Sequence, residues 1–228
     1  MTPAQFQVEL RKLGENVATD GDIGPQTKAA AMRILKAGPD TALTKKDVEH
    51  MASRLRVTPA HVWTVYDVEA AGDPFINGSP TILFEPHIFS RLTGHKFDKA
   101  RPDISSRRWN RSLYGRTQAQ RYQQMMDAVA LDVNAGLSAA SYGGFQVLGQ
   151  NWKSLGYKSA WDFAYQQSLS VAEQLESFVE FVEVNGLAAH LRKSDWKRFA
   201  RGYNGPGYAQ NKYDVKLAQR FAVRSRAS

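Results

Sequence analysis

Apolar residues recur at helical spacing through most of the chain, and each run predicts a helix with its own start and stop signals. Phe6, Leu10 and Leu13 form a short stripe, and the Gly-rich turn from Asp20 to Pro25 leads into a second helix through Leu35. Thr44 with Asp47 imitates a capping box ahead of Val48, Met51, Ala52 and Leu55, and Thr58-Pro59 starts the next helix. Ile88, Phe89 and Leu92 suggest a short helix closed at Gly94. Tyr122, Met125, Met126 and Val129 mark a longer one, with residues 133–140 as a possible further helix. Val171, Leu175, Phe178, Val179 and Val182 form a long stripe ending at Asn185-Gly186, followed by shorter stripes at Trp196 and Phe199 and at Tyr213, Leu217 and Phe221. Strand signals are confined to one place: Asn77-Gly78, between the apolar runs Phe75-Ile76 and Ile82–Phe84, predicts a hairpin, although Pro80 weakens its second strand. Residues 98–116 are polar, basic and aperiodic, and predict an exposed loop bearing Trp109 and Tyr114. The segment Ser141 through Gly149 predicts a sharp turn with one buried amide, Gln146, while 202–208 is too Gly-rich for a helix. The expected fold class is mainly α with a small β-hairpin: a small N-terminal helical unit over residues 1–40, Gly38-Pro39-Asp40 as linker, and a helical domain over 41–228.

One residue breaks the polar patterning. Val62, Val65, Tyr66 and Glu69 fall at i, i+3, i+4 and i+7, so Glu69 lies on the apolar stripe of its helix. It also sits in the last turn before Gly72, a C-cap by sequence, where the helix dipole disfavours an anion. Desolvation and dipole both favour a retained proton, which is the profile of a general acid. The alternative is a Glu that turns out to solvent or pairs with an Arg.

Composition narrows the class. A chain of 228 residues with 43% hydrophobic and 23% charged residues is an ordinary globular protein, and zero Cys excludes disulfides. The net charge of +8 attracts polyanions, but no reading helix, zinc spacing or aromatic RNA motif accompanies it, so nucleic acid is not expected as a partner. The five His residues show no ligand spacing, so neither metal nor cofactor is expected. The N-terminus has no charged n-region or apolar h-region, and no run approaches the length of a membrane span.

Short motifs carry two resemblances. Gly14, Asp20-Gly21, Ile23-Gly24 and Thr27, ahead of Ala30 and Ile34, resemble a small helical peptidoglycan-binding repeat; the alternative is a two-helix cap on the main domain. Four motifs then follow in order: Val68-Glu69, Ile82-Leu83-Phe84-Glu85-x-His87-x-Phe89, Ser141 through Gly149, and Ala200 through Tyr208 with Tyr203-Asn204-Gly205. Over about residues 43–224 this order resembles the lysozyme-like superfamily, including goose-type lysozymes and soluble lytic transglycosylases, and more closely the phage and prophage N-acetylmuramidase endolysins.

The resemblance implies an α+β lysozyme-like fold in which Glu69 protonates the β-1,4 glycosidic oxygen between N-acetylmuramic acid and N-acetylglucosamine. Ser141, Tyr142, Gln146, Tyr203 and Asn204 would contact the sugar chain or position the acid. Glu85 is the candidate second carboxylate, with structural support as the alternative, and His87 is expected to pack or hydrogen-bond. Ala70-Ala71-Gly72-Asp73 departs from the Ser-Gly-Gly common in the family, leaving Asp73 as a turn residue or an extra carboxylate. No carboxylate lies between Pro74 and Phe84, so a hairpin nucleophile is not expected, and a lone acid is also compatible with a lytic transglycosylase forming a 1,6-anhydro product. A non-catalytic wall-binding or tail protein of the same fold is the rival from another class. The expected partner is the peptidoglycan glycan strand, bound by a monomer. The basic C-terminal helix with Arg220, Arg224 and Arg226 would reach lipopolysaccharide or be a solvated face. The missing signal implies storage in the host bacterial cytoplasm and release to the wall through a separate pore.

Overall fold

The computed structural model describes residues 1–36, 42–69 and 73–226. The Gly38-Pro39-Asp40 linker, the unit boundary at 40/41 and the Gly72 cap lie outside the described residues.

The N-terminal pair is α1 (Pro3–Lys12) and α2 (Pro25–Ile34). Thr2 and Gln5 complete a capping box on α1. The Gly-rich turn between the helices is held by the buried amide of Gln7. Its nitrogen donates to Asp20 Oδ1 and to the Asp22 carbonyl, both at 2.8 Å, and its oxygen accepts from Gly21 N at 2.8 Å. This pair shares the main core: Phe6 meets the Trp161 ring edge-on with centroids 5.0 Å apart, and Lys28 pairs with Asp127 at 2.6 Å.

Next come α3 (Lys45–Leu55), opened by the Thr44–Asp47 box as expected, and α4 (Pro59–Glu69), which ends on Glu69. β1 (Phe75–Ile76) and β2 (Ser79–Pro80) close a hairpin over Asn77-Gly78, both at positive φ. The hairpin is shorter than the sequence predicts. β3 (Ile82–Phe84) turns away from it and joins a second antiparallel sheet with β4 (Ala140–Tyr142) and β5 (Val147–Leu148). Pro80 has no N–H with which to continue the first ladder, and its carbonyl instead accepts from Gln118 and Tyr122.

The remaining helices are α5 (Pro86–Leu92), α6 (Gln118–Leu131), α7 (Val133–Ser138), α8 (Ala160–Gln167), α9 (Val171–Val184), α10 (Ala188–Arg192), α11 (Trp196–Asn204) and α12 (Tyr213–Arg224). Two of these, α8 and α10, are not predicted by the sequence pattern. A third corrects it: α11 continues through Gly202, Tyr203 and Asn204, and the helix ends only at Gly205, with φ 72°. Gly202 serves close packing, since a Cβ there would lie 2.4 Å from Leu187 Cδ2.

One hydrophobic cluster runs from Phe6 and Leu10 through Val65, Phe84, Phe145, Phe163 and Phe178 to Leu217. Each such buried aromatic or aliphatic side chain stabilises the fold by about 1.5–3 kcal/mol. The expected architecture, mainly helical with small antiparallel sheets, is therefore observed. Among the described residues no helix is long and apolar enough to cross a membrane.

Candidate active site

Glu69 is the last residue of α4 and is partly buried. The Nδ2 of Asn204, in the last turn of α11, donates to its Oε1 at 3.1 Å. Burial pushes the Glu69 carboxyl up to about 7, against the smaller opposing effects of the Asn204 hydrogen bond and the Lys216 ammonium. Among the described residues the carboxyl forms no ion pair with an Arg. The arginine contact falls instead on Asp67, two residues earlier and on the other side of α4, which binds Arg220 at 2.6 Å and Arg224 at 2.6 and 2.7 Å. Arg224 also lies over the Trp63 ring at 5.1 Å. Two of the three arginines assigned to a lipopolysaccharide surface are therefore spent fastening α12 to α4.

That clasp has a consequence for the acid. Tyr213 and Lys216 of α12 are brought within electrostatic reach of Glu69, and the Tyr213 phenol is raised by burial and then by Glu69. Neither residue was singled out from the sequence for the site. Their signal, a polar and an aromatic group flanking the inward Leu217, was absorbed into the pattern of a basic helix.

The wall facing α4 is the β4–β5 turn, residues 143–146. Gly143 has φ 69° and its N–H donates to the Thr81 carbonyl at 2.7 Å. Gly144 N–H donates to Oε1 of the fully buried Gln174 at 2.8 Å, whose own amide donates to the Gln167 carbonyl at 3.0 Å. Phe145 stacks on Phe178 with centroids 4.9 Å apart and contacts Tyr66 at 5.8 Å. The Tyr203 hydroxyl donates to the Phe145 carbonyl at 2.5 Å, and its ring stacks on Phe199 and meets Phe178 and Phe181 edge-on. Tyr203 is therefore a strut joining the turn to α11, and through its neighbour Asn204 to the acid.

The other expected site residues divide. Gln146 is exposed, not buried as its sequence context suggested, and has φ 52°. Its amide donates to the Gly143 carbonyl at 2.7 Å and accepts from Ser141 Oγ at 2.7 Å. The buried Ser141 thus holds the amide of the exposed Gln146 at the edge of the sheet. Tyr142 is a correction: strand alternation turns it inward, it is fully buried, and its hydroxyl donates to the Leu137 carbonyl at 2.8 Å. It supports the core and presents nothing to a ligand.

Glu85 stands at the opposite end of β3 from Thr81 and caps the start of α5. The register Phe84↔Ala140 carries it away from the 143–146 turn, about 13 Å along the strand from Thr81 at the usual rise per residue. The Tyr114 hydroxyl donates to its carboxylate, and His87 Nδ1 lies 3.4 Å away. Burial raises the Glu85 carboxyl, with the Tyr114 bond and His87 opposing. The hydrogen-bonded setting matches the supporting alternative, and His87 takes the bonding part expected of it. Asp73 is exposed and its carbonyl accepts from Thr81 Oγ1 at 2.5 Å, the arrangement of a turn residue.

A protonated carboxyl on a helix end, held by one amide beside a propped Gly-Gly turn, can deliver a proton to an oxygen leaving group lying along the sheet face. The comparisons with known proteins are consistent with that chemistry. A profile of the N-acetylmuramidase family matches residues 58–224, a span that holds Glu69, Glu85, Ser141, Gln146, Tyr203 and Asn204. A crystal structure of a Burkholderia AP3 phage endolysin aligns with a TM-score of 0.76 at 34% identity, over 98% of this chain and 94% of that one. No curated protein matches. With a matching profile over most of the chain and a solved relative of the same architecture along nearly all of it, the protein belongs to the N-acetylmuramidase family.

Proposed function

We propose that the protein is an endolysin-type muramidase that cleaves peptidoglycan glycan strands, with Glu69 as the general acid. The observation that carries the assignment of the acid is its environment: a carboxyl raised to about 7 by burial, at a helix C-terminus, with Asn204 donating to one of its oxygens. At neutral pH about half of such groups hold the proton that the leaving oxygen needs. Asn204 orients the carboxyl, Tyr203 locks the turn on which Asn204's helix leans, and Ser141 and Gln146 offer polar edges to the sugar. The net charge of +8 speeds encounter with the anionic wall, an advantage that salt removes. The N-terminal unit, residues 1–40, contributes wall contact beside the catalytic unit at 41–228. Action as a monomer, reaching the wall from the host interior through a separate pore, belongs to the same proposal.

The test is lysis of outer-membrane-stripped cells by wild type and by Glu69→Gln. The variant keeps shape and hydrogen bonding but has no proton to give, so turnover is expected to fall by about 10²–10⁴-fold. Undiminished lysis removes Glu69 from the role. Borohydride labelling of the products reads new reducing ends for hydrolysis and their absence for a 1,6-anhydro product.

A further inference from the structure

The open face of the three-stranded sheet continues past the residues given a part in the reaction. Along β3 and its extension Ile82 and Phe84 point into the core, so Thr81, Leu83 and Glu85 share the other face with Ser141. At its far end Tyr114 holds the Glu85 carboxylate, and the Trp109 ring lies beside Tyr114, centroids 6.0 Å apart and tilted by 51°. Trp109 is 62% exposed.

A single exposed aromatic ring is common on protein surfaces. This one is held in place. Arg101 grips Asp103 at 2.9 and 2.7 Å, and Asn110 Oδ1 accepts from Ser112 N and Oγ at 3.0 and 2.8 Å. Gln124 fastens the loop to α6, donating to the Leu113 carbonyl at 2.6 Å and accepting from Gly115 N at 3.0 Å. The indole is thus presented on an ordered loop, so little conformational freedom is lost when something covers it. The neighbouring carboxylate is already oriented by a phenol, leaving an acceptor beside a flat apolar surface. That pairing suits a pyranose, which has an apolar C–H face and a rim of hydroxyl and amide donors.

We propose that Trp109, Tyr114 and Glu85 form a distal saccharide subsite, in which one sugar ring of the glycan stacks on the Trp109 indole and donates a hydroxyl or acetamido hydrogen bond to Glu85. The inference rests on the reading of Glu69 as the acid of a glycan-cleaving site. The strand from Thr81 to Glu85, about 13 Å long, separates the subsite from the Gly143 turn, whose N–H donates to the Thr81 carbonyl, by more than the width of one sugar ring. It therefore acts on long strands and not on short ones, and it gives Glu85 a binding part in place of a second catalytic one.

The experiment uses the inactive Glu69→Gln chain, titrated calorimetrically with peptide-free glycan strands of two lengths, a single disaccharide and a long strand. Adding Trp109→Ala is expected to weaken long-strand binding about tenfold, the loss typical of a stacking Trp, while leaving disaccharide binding within about twofold. Trp109→Phe, which keeps a ring, restores most of the affinity. Equal long-strand affinity with and without Trp109 overturns the subsite while leaving the Glu69 reading intact. Absence of long-strand binding in the Glu69→Gln chain itself, with its fold intact by circular dichroism, overturns both.

Discussion

Glu69 combines two features that rarely coincide, a place on the apolar stripe of α4 and a last-turn position where the helix dipole opposes negative charge. Its partner Asn204 donates to the carboxylate and so favours the ionised form, against a larger effect of burial. The sign of the pH dependence follows. The acid is active when protonated, so turnover is expected to hold on the acid side and to fall about tenfold per pH unit above about pH 7. Removing the Asn204 donor by Asn204→Ala leaves burial unopposed by that bond and raises the carboxyl further. The alkaline limb of the rate profile should then move upward, even as the less well oriented acid lowers the maximum. A limb that stays in place would mean that Asn204 does not set the proton affinity of Glu69. Glu69 itself was legible in the sequence because helical periodicity needs only local spacing. Asn204 was suggested through resemblance, but its bond to Glu69 joins two helices 135 positions apart, which no periodicity reports.

Among the elements, the β4–β5 turn depends most on a single glycine. Gly143 has φ 69°, and a Cβ there would lie 2.3 Å from Gln174 Cδ and 2.4 Å from its Oε1. Gln174 cannot yield easily, because its two ends are bonded to Gly144 and to the Gln167 carbonyl inside the core. Gly143→Ala is therefore expected to cost about 2–3 kcal/mol of stability through backbone strain and a displaced buried amide. Urea denaturation measures this, and activity should fall as well, because the turn carries the Phe145 carbonyl that receives Tyr203. Local chemistry made several elements readable: the Thr44–Asp47 box, Pro59 at the start of α4 and the Asn77-Gly78 turn act within a few residues. The extension of α11 through Gly202 was not readable. The side chain that needs that glycine's missing Cβ is Leu187, which reaches the site only through the packing of α10 and α11.

At the scale of the molecule, the N-terminal pair is joined to the rest through Phe6 on Trp161, the Lys28–Asp127 ion pair, and the hairpin tip, where a Cβ on Gly78 would meet the Lys36 carbonyl at 3.4 Å. Phe6 is fully buried. Phe6→Ala is expected to lower the stability of the whole chain by about 3–5 kcal/mol, in a single transition seen alike by far-UV circular dichroism and by loss of activity. Two separated transitions, with activity surviving the first, would show that the pair folds independently. A net charge of +8 belongs to this scale too, since it acts as a field on the encounter with the wall and not on any one contact.

The sequence by itself determined the helical class, most helix starts, the hairpin turn, the family likeness and the place of Glu69 on the apolar stripe, because each is written in spacings of a few residues or in motifs in order along the chain. Tertiary structure alone decided the rest. It turned Tyr142 into the core by strand parity, moved β3 into a second sheet, and fastened α12 to Asp67 so that Lys216 and Tyr213 lie near the acid. It also set Glu85 beside Tyr114. These outcomes depend on which surfaces pack together, and burial, which sets the proton affinity of Glu69, exists only once they have.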